Sequence, residues 1–79
     1  MKRVIAGDVY LSTGLAAAKI GVRQGAMRRL GRMWLQDKSP YSIVVRTFVD
    51  PRNGYFWFYE EDMCRIKDYL QSLVLRNRT

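Results

Sequence analysis

The sequence predicts one small α+β domain, spanning residues 1–79, with the element order helix, turn, helix, β-hairpin, helix. Three observations support this order. Two helix-forming runs separated by a glycine occupy residues 11–35, and two β-branched or aromatic runs flank a Pro- and Asn-Gly-containing turn in residues 43–59. Residues 60–74 then begin with three carboxylates and continue with apolar residues at helical spacing. At 79 residues the chain is sufficient for one core.

The first helix is predicted around Leu15–Lys19, where leucine and alanine favour helix. Ser12 or Thr13 supplies a hydroxyl for the N-cap. Gly21 is expected to end the helix, because glycine adopts the left-handed conformation at little cost.

The second helix is predicted from Gln24 to Leu35, and its apolar residues fall at helical spacing. The side chains expected to face inward are Met27, Leu30, Trp34 and, less regularly, Met33. The side chains left facing outward are basic: Arg23, Arg28, Arg29 and Arg32. No carboxylate lies between Lys19 and Asp37, which is unusual for a merely solvated helix face.

A β-hairpin is predicted over residues 43–59. Residues 43–49 are β-branched and apolar, and Tyr55–Tyr59 form the returning strand. Between them lies a turn over residues 50–54, in which we expect Asn53 and Gly54 to adopt the positive φ values of a tight hairpin. Because all five residues of the returning strand are aromatic, either Phe56 and Phe58 or the alternate set is expected to stay relatively exposed.

The ends of the chain give weaker patterns. Residues 1–7 are predicted to be a lead-in, and residues 9–11 either a minimal strand or a hydrophobic staple before the first helix. Residues 37–42 are predicted to be a turn around Pro40. Glu60–Asp62 place three carboxylates at the positive end of the last helix, in which we expect Cys64 to be buried.

Charge is distributed unevenly along the chain. The net charge is +7, and all of the excess lies in residues 1–49, whereas residues 50–79 are neutral overall. This distribution predicts a polyanionic partner, most simply a nucleic-acid backbone. The sequence has no histidine and one cysteine, so we expect no catalytic residue, no metal and no cofactor. No apolar run is long enough to cross a membrane, which predicts a cytoplasmic, nucleoid-associated protein without membrane partners.

A helix-turn-helix followed by a β-hairpin is a winged helix-turn-helix. The sequence resembles the MerR-like winged-helix family, and especially its small excisionase-like phage and plasmid proteins. The matching motifs are LSTxLAAxxIGV (residues 11–22), RQGAMRRL (residues 23–30) and RNGYFWFYEEDM (residues 52–63). The family's wing commonly carries an arginine after the glycine–aromatic pair. This sequence has Phe56–Phe58 at that place instead, and Arg46 and Arg52 are the nearby arginines expected to replace the family's wing arginine.

The resemblance implies sequence-preferring binding to double-stranded DNA, with the helix of residues 23–35 in the major groove and the hairpin of residues 43–59 as the wing. The candidate DNA-binding residues are Thr13, Lys19, Arg23, Gln24, Gly25, Arg28, Arg29, Arg32, Arg46 and Arg52. The implied role is that of an excisionase, an architectural factor that bends DNA in recombination, recruits an integrase and self-associates cooperatively on DNA. Full-length MerR-type regulators add an effector domain. The chain ends at Thr79, so no small-molecule effector is expected.

Three other functions remain open at this point. A small phage or plasmid transcriptional regulator and a terminase small-subunit type of DNA-recognition domain would both use the same fold. A protein-interaction module, binding a host protein through the aromatic hairpin, would use a different surface. RNA binding is disfavoured, because a helix does not enter the deep, narrow major groove of A-form RNA.

Overall fold

The computed structural model describes residues 1–77, and the side chains of residues 1–75. It shows a compact α+β domain with one antiparallel sheet in the strand order β1-β2-β4-β3. The elements in chain order are β1 (Lys2–Ile5), β2 (Asp8–Ser12), α1 (Thr13–Ile20), α2 (Gln24–Leu35), β3 (Thr47–Val49), β4 (Phe56–Tyr59) and α3 (Glu60–Asn77).

The predicted lead-in over residues 1–7 is wrong, because these residues form most of a β-hairpin. Strand β1 pairs with β2 along its whole length, from Lys2 opposite Leu11 to Ile5 opposite Asp8. Ala6 and Gly7 join the two strands with φ values of 51° and 86°. Two consecutive positive φ values are typical of the two-residue turns whose twist matches that of a hairpin. Of the two alternatives for residues 9–11, the strand is therefore confirmed.

The two predicted helices are confirmed at both ends. The Ser12 hydroxyl accepts a hydrogen bond from the Leu15 amide at 3.4 Å, so Ser12 rather than Thr13 is the N-cap of α1. Gly21 ends α1 with a φ of 76°, and its amide donates to the Ala17 carbonyl. Helix α2 follows after only Val22 and Arg23, so the two helices are joined by a short turn.

The core lies between the three helices and one face of the sheet. Its fully buried residues come from every layer, and they include Leu11, Ala16, Met27, Phe58, Met63 and Ile66. Trp34 meets the Phe58 ring edge-on, with ring centroids 5.9 Å apart. The Trp34 indole also donates to the Ser39 hydroxyl at 2.9 Å, and that hydroxyl donates to the Ile43 carbonyl at 2.8 Å. The connection from α2 to β3 is thereby tied to the core.

The predicted strand over residues 43–49 is too long, since only residues 47–49 pair with β4. Just before β3, Val45 enters the core, where it is 1% exposed. The Arg46 amide donates to the Asp62 carboxylate at 3.0 Å, and the Arg46 carbonyl accepts from the Tyr59 amide at 3.0 Å. These bonds satisfy the backbone next to the strand and anchor it to the first turn of α3.

The predicted Asn-Gly turn is also wrong in its geometry. Only Gly54 has a positive φ, at 72°, whereas Asn53 does not. The Asp50 amide donates to the Tyr55 carbonyl at 3.0 Å, and the Asp50 carbonyl accepts from the Gly54 amide at 2.7 Å. Residues 51–54 therefore form a four-residue loop rather than a two-residue turn. The Asn53 side chain instead accepts a hydrogen bond from the Tyr55 amide at 3.0 Å.

The expectation that one aromatic set of the last strand stays exposed is wrong. Phe58 is fully buried against the helices, and Trp57 and Tyr59, on the opposite face, are each only 8% exposed. Two arginine side chains cover that face: Arg3 lies over Trp57 at 5.5 Å and Arg46 lies over Tyr59 at 4.5 Å from the ring centroids. Long basic side chains can bury aromatic surface while their charged ends remain in water.

Two predictions for α3 need correction. Cys64 is exposed rather than buried, because the helix turns Met63 and Ile66 toward the core instead. Asp62 does more than place charge at the helix start: it is 4% exposed and holds the Arg46 amide. No helix within residues 1–77 is long and apolar enough to cross a bilayer.

Candidate nucleic-acid interface

Helix α2 presents one polar arc and one apolar arc. At about 100° per residue, the arc of Gln24, Gly25, Arg28, Arg29 and Arg32 spans roughly 140° of the helix circumference. All five of these residues are exposed. The core-facing residues on the opposite side, Met27, Leu30, Gly31 and Trp34, are all buried. Of the basic face predicted from the sequence, Arg28, Arg29 and Arg32 therefore form a single continuous surface, whereas Arg23 precedes the helix as its N-cap residue.

The arginines of α2, and Arg23 just before it, have no acidic partner among the described side chains. Within residues 1–75 the ion pairs are Lys2–Glu60, Arg3–Asp50, Arg52–Asp50, Arg46–Asp62 and Arg65–Asp62. None of them involves Arg23, Arg28, Arg29 or Arg32. The basic arc of α2 therefore keeps its full positive charge available for an external anion.

A cleft of about 480 Å³ lies between Arg28 of this arc and the hairpin loop. Its walls come from the start of α1, from Arg28 on α2, and from residues 53–57 of the loop and strand β4. Thr13 and Arg28, both predicted as site residues, lie in the same cleft. No carboxylate is among its lining residues in the described part of the chain. We call this site the basic cleft.

Gln24 and Gly25 lie at the start of the same helix. The Gln24 side-chain amide is close to Gly14 of α1, where a Cβ would lie 3.3 Å from its Nε2. Gly14 also lines the basic cleft, so Gln24 extends the site along α2. A Cβ at Gly25 would meet nothing within 4 Å. Packing inside this chain therefore gives no reason for glycine at position 25.

Thr13 and Arg28 are the predicted residues that line the basic cleft. The predicted residues that do not line it are Arg23, Gln24, Gly25, Arg29 and Arg32, at or just before α2, and Lys19, Arg46 and Arg52, which lie elsewhere. Lys19 lines a separate groove between α1 and α3. Arg46 lies over the Tyr59 ring and within 4.0 Å of Asp62, at the start of α3. Arg52 is in the hairpin loop beside the cleft-lining Asn53, but its guanidinium lies 3.6 Å from the Asp50 carboxylate. The Arg52 side chain is 80% exposed.

Asp50 fixes the position of the hairpin loop. Its carboxylate accepts from the Arg52 amide at 2.9 Å and from the Arg3 guanidinium at 3.1 Å. The Arg52 amide and then the Arg3 guanidinium hold the pKa of Asp50 below its ordinary value of 3.8, since both stabilise the charged form. The loop is thus tied to strand β1 through Arg3.

Arg3 and Tyr55 were missed by the sequence prediction. Arg3 lies 47 residues before its partner Asp50, and no local pattern signals such a contact. Tyr55 was assigned to an aromatic strand, yet it is 65% exposed at the mouth of the basic cleft. On the same strand, burial and then the Glu61 carboxylate raise the pKa of the Tyr59 phenol.

No group of three His, Cys, Asp or Glu side chains in the described residues is arranged to hold a metal ion. Comparison with protein-family models, curated proteins and solved structures gives no match to this chain.

Proposed function

We propose that this protein binds double-stranded DNA as a winged helix-turn-helix without catalysing a reaction. The observation that carries the proposal is the basic cleft, in which Arg28 of the unpaired arginine arc of α2 faces the hairpin loop and which no carboxylate lines among the described residues. In this proposal α1 and α2 are the helix-turn-helix and residues 47–59 are the wing. The resemblance to MerR-like proteins supports the same assignment.

Helix α2 is the proposed reading element. It has 12 residues, so it is about 18 Å long at 1.5 Å per residue, and its diameter suits a B-DNA major groove of about 12 Å. Gln24 and Arg28 are four residues apart and share one face of the helix. A glutamine amide can pair with adenine and an arginine guanidinium with guanine, each through two hydrogen bonds. Arg29 and Arg32 continue the arc toward the phosphates.

The basic cleft is the proposed site for one DNA backbone. Arg28 supplies positive charge, and Thr13 supplies a hydroxyl at the start of α1. The loop over residues 51–54 closes the other side, with Arg52 beside it. Phosphate contacts of this kind fix the register of a protein on DNA, and base contacts provide sequence preference.

The proposed biological role is that of an excisionase-like factor that bends DNA and recruits an integrase. This role rests on the resemblance of the helix pair and the wing to the small phage and plasmid proteins. A transcriptional regulator or a terminase-type recognition domain would use the same surface. Titration onto duplexes with one site and with several tandem sites separates the excisionase-like role from that of a simple repressor. An excisionase-like factor binds each tandem site more tightly and bends the DNA, whereas a simple repressor shows equal affinity per site on straight DNA.

The alternative of a host-protein binder uses the aromatic hairpin. The burial of Trp57, Phe58 and Tyr59 leaves mainly Tyr55 and Phe48 on its surface, which is a small area for a protein interface. Salt dependence distinguishes the two functions. Phosphate neutralisation gives a steep fall of log K with log salt, and an interface built on a few aromatic residues gives a shallow one.

The test is fluorescence anisotropy with a labelled duplex taken from the DNA that flanks the gene of this protein. Binding is measured over a range of salt concentrations. If four arginines neutralise phosphates, the slope of log K against log salt is about −3 to −4. Arg28→Ala is expected to weaken binding by about 1–3 kcal/mol if Arg28 reads a base. If it contacts only a phosphate, all sequences weaken alike and the slope falls by about one.

Lys67→Ala is the matched control, because it removes one positive charge from α3, outside the basic cleft. It is expected to leave the affinity close to that of the wild type. Equal affinity of wild type and an Arg28→Ala/Arg29→Ala double variant would overturn the assignment of α2 as the reading helix. Absence of any duplex binding at low salt would overturn the proposed function itself.

A further inference from the structure

A second concave surface lies between the end of α1 and the outer half of α3. This groove has a volume of about 630 Å³, and it shares no lining residue with the basic cleft. Its floor is apolar, built from Ile20, Leu70, Val74 and Leu75. Its charged residues in the described part of the chain are Lys19 and Lys67. We call it the α1–α3 groove.

Two apolar side chains of this groove are largely exposed. Val74 is 53% exposed and Leu75 is 64% exposed, on two successive positions of one helix. The first half of α3 packs firmly, since Met63 and Ile66 are completely buried. The molecule measures 47 Å in its longest dimension against 22 Å and 20 Å in the others. Exposed apolar surface that continues into a concave site marks an interaction surface.

The charges at the groove specify what it can accept. Lys19 and Lys67 come from different helices and form no ion pair with the described side chains. No carboxylate lines the groove among the described residues. A partner with acidic groups beside an apolar stripe would therefore gain attraction at both lysines. A second copy of this chain seated through the same groove would instead bring its own Lys19 and Lys67 toward these lysines.

We propose that the α1–α3 groove binds an amphipathic helix of another protein, with its apolar stripe against Leu70, Val74 and Leu75 and its carboxylates beside Lys19 and Lys67. A groove between two packed helices accepts a third helix through side chains spaced three and four residues apart. This site is separate from the basic cleft, so a protein partner and DNA can be bound together. The proposal does not depend on the DNA-binding function.

The experiment uses two synthetic peptides of about 18 residues, a length at which isolated helices become stable enough to study. Both carry leucines at positions i, i+3, i+4 and i+7. One has glutamates on the flanks of this stripe, and the other has lysines at the same positions. Each is titrated into the isotope-labelled protein while the methyl signals of Ile20, Leu70, Val74 and Leu75 are followed by NMR. Binding to a duplex is measured on the same samples.

The glutamate peptide is expected to shift these methyl signals and to bind on the order of tenfold more tightly than the lysine peptide, a difference of about 1.4 kcal/mol. Lys67→Glu should remove or invert this preference, and the uncharged Val74→Ser should weaken both peptides. Val44→Ser is the control, since Val44 is also exposed, at 43%, but lies outside the groove. Circular dichroism verifies that each variant remains folded.

Two outcomes would overturn the proposal. One is equal affinity for the two peptides, or no shift of the groove signals with either. The other is a shift of the same signals with protein concentration alone, accompanied by a dimer in sedimentation analysis, which would assign the groove to a second copy. If the protein binds the glutamate peptide as expected but binds no duplex, the DNA-binding proposal is contradicted and this one stands.

Discussion

Gly31 of α2 lies directly against the Phe58 ring of the central strand β4. A Cβ at position 31 would lie 3.1 Å from Phe58 Cζ and 3.0 Å from Phe56 Cδ1, which is tighter than nine in ten Cβ contacts in proteins. Phe58 is completely buried and has little room to retreat. The absence of a side chain at position 31 therefore sets how closely the basic helix approaches the sheet.

We predict that Gly31→Ala destabilises the domain although alanine favours helix. Overpacking of a core costs about 1–3 kcal/mol, and the helix propensity of alanine returns about 1 kcal/mol at most. The net loss should lower the melting temperature by several degrees, measured by circular dichroism. Gly25→Ala in the same helix is the matched control and should raise it, because a Cβ there meets open space. A Gly31→Ala variant as stable as Gly25→Ala would contradict the packing described.

A second prediction concerns the hairpin loop. Gly54 has a φ of 72°, a conformation that β-branched residues strongly resist. Gly54→Val should therefore cost about 1–2 kcal/mol of unfolding free energy. Gly54→Asn should cost less, because asparagine tolerates the left-handed region better. Urea denaturation of the three proteins tests this order, and equal midpoints for valine and asparagine would mean that the loop has another geometry.

The third prediction follows from the lowered pKa of Asp50. A carboxyl group whose pKa is lower in the folded state stabilises the fold above its ordinary pKa, here 3.8, and this stabilisation is lost as the pH falls below it. Asp50→Asn should therefore melt below the wild type at neutral pH, and the difference should shrink under acid conditions. Asp37→Asn, which removes an exposed carboxylate in a turn, is the control. A difference that does not change with pH would contradict the role of the Asp50 charge.

The helix pair could be predicted from the sequence because its signals are local. Ser12 and Gly21 mark the two ends of α1, and each does so through contacts within one helical turn. The apolar spacing of α2 identifies its buried face without knowledge of the elements that pack against it. Helix caps and helical periodicity involve residues at most a few positions apart. The position of every α2 arginine on the exposed face followed from that spacing alone.

The remainder of the fold depends on contacts between distant residues. Strand β1 was missed because its turn uses Ala6, which rarely adopts the positive φ it has here. The burial of Trp57 and Tyr59 depends on Arg3 and Arg46 from other strands and loops. No pattern within the aromatic run indicates that these two arginine side chains cover it. The prediction that one face of the strand stays exposed failed for this reason.

The candidate site could be predicted only in part. The arginine arc was predicted as a continuous surface, and the structure brings Thr13 and Arg28 to one cleft. Lys19, in contrast, was predicted to contact DNA from α1 but does not line this cleft. The helix direction of α1 places it beside Lys67 of α3 instead. Proximity along the chain does not tell which of two neighbouring helices a side chain faces.

The last prediction tests whether the first turn of α2 approaches DNA closely. Because a Cβ at Gly25 would meet nothing inside the chain, a requirement for glycine there must come from outside it. Gly25→Ala is expected to raise stability by about 0.5–1 kcal/mol while weakening duplex binding by about 1–3 kcal/mol. Opposite changes in these two quantities would exclude a loss of binding through unfolding. An unchanged duplex affinity would mean that the first turn of α2 stays away from the groove, and that any reading of bases falls to Arg28, Arg29 and Arg32 further along the helix.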